Sequence, residues 1–189
     1  EGSIFMAGAN FQWLRDKMNF FEDVEESEEL AKKADPNANV YLIPAFVGLG
    51  APHWVPDARG AIFGLTRDAG KEELSLATHE AIAFQTKEII SSLENDGIKV
   101  DSVRIDGGLT RNAFFNQILS NVVEREVLCS KTTESTALGA AYLAGIGSGE
   151  VSLKDISKNW SPKADYNPDS SYDLGRYGIW KEFLSRLIG

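Results

Sequence analysis

The sequence predicts an α/β fold in which helices flank a mixed sheet, and two strand–helix units support this prediction. In the first unit, a segment with β-branched residues at 101–105 leads through two glycines into a segment from Asn112 whose apolar residues have helical spacing. In the second unit, a short strand at 126–129 precedes a helix of small residues at 135–144. Consecutive strand–helix units favour right-handed crossovers, so parallel strands are expected in the sheet.

The remaining elements are predicted from local patterns along the chain. Apolar residues at helical spacing predict further helices, and an apolar run followed by many glycines and prolines predicts a buried strand, a shaped loop and a hairpin. The acidic stretch at 22–29 is interpreted as a solvated face or a short amphipathic helix without a function. The other elements are helix 8–18, strand 40–46, strand 61–65, helix 75–93, surface coil from 149 to 171, and helix 178–187.

Composition indicates one compact domain and excludes several classes of protein. Of the 189 residues, 43% are hydrophobic and 25% are charged, a balance that supports a core and argues against disorder. The formal net charge of −9 argues against a nucleic-acid partner, because a phosphate backbone is bound by clustered Lys and Arg. The apolar segments are shorter than the ~20 residues of a membrane span, and Cys129 has no second cysteine to pair with, so a cytoplasmic protein without a membrane partner is expected.

Few residues offer catalytic or metal chemistry by themselves. Because the chain has only His53, His79 and Cys129, a His/Cys metal cluster is excluded, and neither a GxSxG nor a GxxxxGK[ST] motif occurs. Asp106 ends a strand beside two glycines, where it could either take part in a site or only cap the turn. His79 lies within the strongest helix and is interpreted as a partly exposed spacer rather than a general base.

The strand-to-helix turn at Gly107 and Gly108 is the candidate ligand site. Glycine permits a positive φ and lets the backbone approach a ligand without a Cβ in the way, and the following helix offers unpaired N–H groups at its N-terminus. Adjacent glycines are also ordinary turn chemistry. The residues themselves therefore leave a nucleotide site and a plain turn as alternatives.

Five segments, taken in order, resemble one family of enzymes. They are MAGANFQWLRD (6–16), PAFVGLGAPHWVPDARGAIFGLTR (44–67), EAIAFQT (80–86), DGGLTRN (106–112) and STALGAAYLAG (135–145). Together they resemble the C-terminal part of the glycerol kinases, a group within the FGGY family of carbohydrate kinases. The segment 44–67 is close to diagnostic of that group, whereas DGG followed by an Asn and the alanine-rich helix are shared by the sugar kinases of the family.

The resemblance implies an actin-like, ribonuclease H-like ATPase architecture, in which ATP is held mainly by the second of two α/β domains. The Asn112 amide can both donate and accept hydrogen bonds, which suits an adenine edge. His53 and His79 stand where relatives commonly have other residues, and neither is expected to touch a nucleotide-binding position. The implied nucleotide-binding residues are Gly8, Gln12, Gly107, Gly108 and Asn112.

The resemblance also implies a reaction, in which ATP, with Mg²⁺, phosphorylates glycerol to sn-glycerol 3-phosphate and leaves ADP, in an enzyme that forms a homo-oligomer. Residues 1–189 are then the C-terminal nucleotide-binding domain, and its opening strands, the N-terminal substrate domain and the catalytic Asp precede Glu1. No catalytic or metal-ligating residue is expected within the chain, and the chain alone is expected to be inactive. The alternatives are a sugar kinase of the xylulokinase or gluconokinase type, or a non-catalytic actin-like nucleotide-binding module.

Overall fold

The computed structural model describes residues 2–35, 37–132 and 134–189, and its strands form two sheets. Strand β1 (Tyr41–Ile43) pairs with β2 (Ala61–Phe63) as an antiparallel hairpin. Strand β4 (Glu126–Ser130) lies between β3 (Ser102–Ile105), to which it is parallel, and β5 (Pro162–Tyr166), to which it is antiparallel. The parallel pair, the hairpin and the mixed character of the larger sheet confirm the α/β prediction.

Seven α-helices and one 3₁₀ helix surround these strands within the described residues. The longest helix, α3, has 25 residues and begins where the Gly70 N–H donates to the Glu73 carboxylate at 2.7 Å. The helices are α1 (Gly8–Asp16), α2 (Glu26–Ala31), α3 (Lys71–Asn95), the 3₁₀ helix (Gly108–Arg111), α4 (Ala113–Val123), α5 (Ser135–Ser148), α6 (Leu153–Asn159) and α7 (Gly175–Ile188).

The main core lies where α4 packs against α3. Helix α4 forms because the Asn112 side chain caps its N-terminus and its apolar residues recur on one face, and it ends at Glu124, whose φ of 56° is left-handed. Phe115, Ile118 and Val122 are buried in this core. Helix α7 lies on the opposite side of this core. It is attached to β1 there, because the buried Trp180 indole N–H donates to a carbonyl of β1 at 2.9 Å.

The segment 149–171 differs from the surface coil predicted for it, because it contains α6 and β5. Helix α6 starts with a capping box in which Ser152 and Asp155 satisfy each other's backbone N–H groups. Strand β5 joins the sheet as an edge, and the Ser120 hydroxyl donates to the Tyr166 carbonyl at 2.9 Å. Helices α3, α5 and α7 are also longer than predicted.

Helix α5 is unusual because it is apolar in composition and yet none of its described residues is buried. Its apolar side chains are spread around the whole circumference instead of forming one stripe. None of the described helices combines the length and the apolar character needed to cross a bilayer.

Candidate nucleotide site

The turn after β3 is built by its own hydrogen bonds. Gly107 has a φ of +91°, a left-handed value that favours glycine, and it directs the chain from the strand into the 3₁₀ helix. The Thr110 hydroxyl donates to the Gly107 carbonyl at 2.7 Å, and the Asn116 amide donates to the Thr110 carbonyl at 2.8 Å. The turn is therefore anchored to α4 before any ligand is considered.

A cavity of about 470 Å³ opens between this turn and helix α1. It is lined by Gly8 and Gln12 from α1 and by Gly108 and Asn112 from the turn. The structure thus brings together four of the five residues that the resemblance implied, although they lie up to 104 positions apart in sequence. The fifth, Gly107, precedes Gly108 in the turn and is not among the lining residues.

Two of the lining glycines are not required by the packing of the protein. A Cβ added to Gly8 or Gly108 would meet no heavy atom within 4 Å in the space outside its own neighbours, and neither residue has a positive φ. Gly107 differs, because its φ of +91° is itself a reason for glycine. A ligand that lies close against the backbone would explain why glycine is present at Gly8 and Gly108.

The Asn112 side chain is held by two hydrogen bonds within the protein. Its Oδ1 accepts from the Phe115 N–H at 2.7 Å, which caps α4, and its Nδ2 lies 3.1 Å from Nε2 of His79. An amide has two hydrogens on nitrogen and two lone pairs on oxygen, so one of each remains for a ligand. The Asn112 amide therefore reaches the cavity with its orientation already fixed.

The structure corrects two expectations about His79. The side chain is 0% exposed rather than partly exposed, and it contacts Asn112, a candidate residue. Nδ1 lies 2.8 Å from the Ser75 carbonyl, which can only accept, so Nδ1 carries the proton and Nε2 accepts from Asn112. Burial lowers the pKa of His79 to about 4, which keeps the ring neutral at neutral pH.

Sequence reasoning missed the charged residues of the cavity. Asp23, Glu25 and Glu28, from the stretch interpreted as having no function, line it together with Arg15 and Arg111. Of the three carboxylates, only Glu28 lies on α2, which packs against α3, and the segment reaches α1 through a buried cluster that includes Leu14, Phe21 and Leu30. No local pattern in the sequence marks that placement.

The other residues considered from the sequence lie elsewhere. Asp106 is exposed and does not line the cavity, and Nε2 of His53 lies 3.4 Å from the Glu88 carboxylate. Within residues 2–35, 37–132 and 134–189, no group of three or more His, Cys, Asp or Glu side chains is arranged to hold a metal ion.

Comparison with known proteins places this chain in a family. The model for the C-terminal domain of the FGGY family of carbohydrate kinases matches residues 1–148. A glycerol kinase from Alteromonas mediterranea is 44% identical over 99% of this chain and 38% of its own length. The structure of Plasmodium falciparum glycerol kinase with ADP superposes with a TM-score of 0.83, at 33% identity, over 98% of this chain and 38% of that one.

Other sugar kinases share the same fold. Gluconate kinase from Lactobacillus acidophilus superposes with a TM-score of 0.85, at 25% identity, over 100% of this chain and 39% of that one. The chain thus spans less than two fifths of the relatives that it matches. The agreement confirms the predicted actin-like ATPase fold class, and the chain belongs to the FGGY family of carbohydrate kinases.

Proposed function

We propose that residues 1–189 form the ATP-binding domain of an enzyme that transfers the γ-phosphoryl group of ATP to glycerol, giving sn-glycerol 3-phosphate and ADP. One observation carries this proposal: Gly8, Gln12, Gly108 and Asn112 line a single cavity, and the packing of the protein explains neither of its two glycines. A nucleotide lying against the backbone at both glycines accounts for them.

The polar residues of the cavity suit the adenosine part of ATP. The remaining hydrogen and lone pair of Asn112 match the donor–acceptor pattern of an adenine edge. The carboxylates of Asp23 and Glu28 can accept hydrogen bonds from ribose hydroxyls, whereas they would repel phosphate oxygens. We therefore expect the sugar to face the acidic wall and the phosphates to lie away from it, toward the side of the cavity that carries Arg15 or Arg111.

Glycerol as the acceptor is proposed from the relatives. Curated proteins at 42–46% identity over nearly the whole chain are glycerol kinases, whereas the gluconate and xylulose kinases among the solved structures are at most 25% identical. Mg²⁺ would be bound together with ATP, because this ion keeps several waters and is usually held by substrate phosphates and one or two carboxylates. Such binding needs no dedicated metal cluster in this chain.

The remaining chemistry is proposed to lie upstream of Glu1. There we expect the catalytic Asp that accepts the proton of the attacking hydroxyl, the glycerol-binding domain, and the first strands of the ATP-binding domain. Phosphoryl transfer depends on positioning and on charge stabilisation, so closure of one domain onto the other would complete the site. We also propose a cytoplasmic homo-oligomer, in which the loop that exposes Val47 and Trp54 faces another subunit.

The proposed activity is tested on the full-length protein that contains this chain. Its rate of phosphorylation should be measured with glycerol, xylulose and gluconate at saturating ATP and Mg²⁺. A preference for glycerol is expected, and a preference for either sugar-derived substrate would replace the proposed acceptor. If ATP binds but no acceptor is phosphorylated and the upstream sequence lacks the catalytic Asp, the non-catalytic nucleotide-binding module is the correct alternative.

A further inference from the structure

A single buried imidazole, that of His79, joins the two sides of the candidate cavity. His79 belongs to α3, which does not line the cavity, but its neighbours do. One neighbour is Asn112 at the turn, and the other is Phe11 in α1. His79 thus contacts both α1 and the turn and connects the two walls of the cavity.

The contact with the turn is specific in its chemistry. Because the Ser75 carbonyl fixes the proton on Nδ1, Nε2 can act only as an acceptor, and Asn112 must turn its NH₂ group toward it. The Phe115 N–H independently requires the amide oxygen on the other side. The two bonds therefore agree on one orientation of the Asn112 amide, and His79 removes the freedom to rotate that a single cap bond would leave.

The contact with α1 is made by packing. The Phe11 and His79 rings meet edge to face with centroids 4.6 Å apart, and Phe114 approaches the imidazole from another side at 5.5 Å. Phe11 is fully buried and also lines the cavity, next to Gln12 in sequence. A change in the ring at 79 is thus transmitted to both walls.

We propose that His79 is a positioning residue of the nucleotide site. Its Nε2 fixes the orientation of the Asn112 amide, and its ring holds α1 in place by packing against Phe11. The inference rests on the proposed nucleotide binding at this cavity. Leucine at this position would fill much of the same volume but would offer no acceptor, so Asn112 would keep its cap bond and lose its second one. Glutamine could return an acceptor at a position close to that of Nε2.

The proposal is tested by ADP binding to the full-length protein and its variants, measured by isothermal titration calorimetry. We expect His79→Leu to raise the Kd for ADP roughly three- to tenfold, which corresponds to the loss of about one hydrogen bond. We expect His79→Gln to bring the Kd back to within about twofold of the wild-type value. The KM for glycerol should not change, because the acceptor is held by the other domain. Thr78→Val is the matched control, since Thr78 is equally buried on α3 but its hydroxyl donates to the Leu74 carbonyl of its own helix.

A spectroscopic measurement reports on the contact between His79 and Asn112 and does not depend on enzyme activity. In ¹⁵N-resolved NMR spectra, His79 should be neutral with the proton on Nδ1, and the Asn112 side-chain NH₂ signals should shift in His79→Leu but not in Thr78→Val. If the wild type binds no ADP, the proposed function fails and this inference fails with it. If the wild type binds ADP and His79→Leu binds it equally well, or the Asn112 signals do not move, only the positioning role is overturned.

Discussion

Arg176 and Glu80 form a two-pronged ion pair between α7 and α3, with Nε to Oε1 at 2.7 Å and Nη2 to Oε2 at 2.6 Å. The guanidinium also donates to the carbonyls of Ala38 and Val40, ahead of the hairpin, and lies over the Tyr41 ring. Glu80 is only 3% exposed. One side chain therefore connects the last helix, the longest helix and the hairpin.

Arg176→Ala should destabilise the protein strongly, because it leaves the Glu80 carboxylate buried without its partner. A loss of about 3–5 kcal/mol in the free energy of unfolding is expected, measured by urea denaturation. The control is Arg186→Ala on the same helix, whose guanidinium lies 3.9 Å from Glu182 at the surface and should matter little. Equal effects of the two substitutions would contradict the importance of the buried pair.

The two neighbouring glycines of the turn should respond differently to substitution. Gly107→Ala should lower the melting temperature, because an L-residue at a φ of +91° is strained by about 1 kcal/mol or more. Gly108→Val should leave the melting temperature nearly unchanged, since an added Cβ meets no heavy atom within 4 Å, and should raise the KM for ATP, since Gly108 lines the cavity. A turn without a ligand predicts the same small change in stability but normal ATP kinetics for Gly108→Val.

Asn112 has a structural and a ligand-facing role, and two substitutions separate them. Asn112→Ala removes the cap of α4 and should cost about 1 kcal/mol of stability in addition to weakening ATP binding. Asn112→Ser can still cap the helix but is too short to bond to His79, so it should keep most of the stability and still raise the KM for ATP. Melting curves and ATP kinetics of both variants check this, and an Asn112→Ser enzyme with wild-type ATP kinetics would contradict it.

The buried His79 should make stability depend on pH. Its pKa is lowered from 6.5 to about 4 in the folded protein, so between these values the unfolded chain binds a proton that the folded protein does not. The protein should therefore lose roughly 3 kcal/mol as pH falls from 6.5 to 4. The hydrogen bond to the Ser75 carbonyl and the Glu28 carboxylate oppose this shift of the pKa, but burial outweighs them. Urea denaturation of the wild type and of His79→Leu at several pH values isolates the contribution, and parallel curves would count against it.

The 189-residue chain on its own should not phosphorylate glycerol. It spans about 38% of the length of its relatives, and a site that holds only the nucleotide cannot position the acceptor hydroxyl. ADP binding should also be weaker than in the full-length protein, since a cavity open on one side loses contacts. Turnover by the purified chain, with contaminating kinases excluded, would refute the proposal that one domain binds ATP and the other binds glycerol.

Much of the fold follows from local signals in the sequence. The apolar spacing after Asn112 predicts α4, and the structure uses the same residue as its cap. The glycine-containing turn between a β-branched strand and this helix likewise predicts where a cavity would open. These features depend on neighbours within a few residues, which a sequence displays directly.

The missed features depend on distant partners. Strand β5 alternates Lys163 and Asp165 with the less exposed Ala164 and Tyr166, but five residues give only a weak strand signal, and the strand forms because β4 offers a free edge. Glu28 reaches the cavity through the packing of α2, and His79 reaches Asn112 across 33 positions. A buried histidine and an exposed one look alike in a helical pattern, so only the fold distinguishes them.

The exposed apolar helix α5 affects how the assembly state of this protein should be measured. Leu138 and Leu143 are 39% and 71% exposed, and the helix has no polar side to turn toward water. Copies of the isolated chain at high concentration would adhere through this surface. Light scattering on the isolated chain would then count contacts made through α5 together with any others, so the subunit number should be determined on the full-length protein.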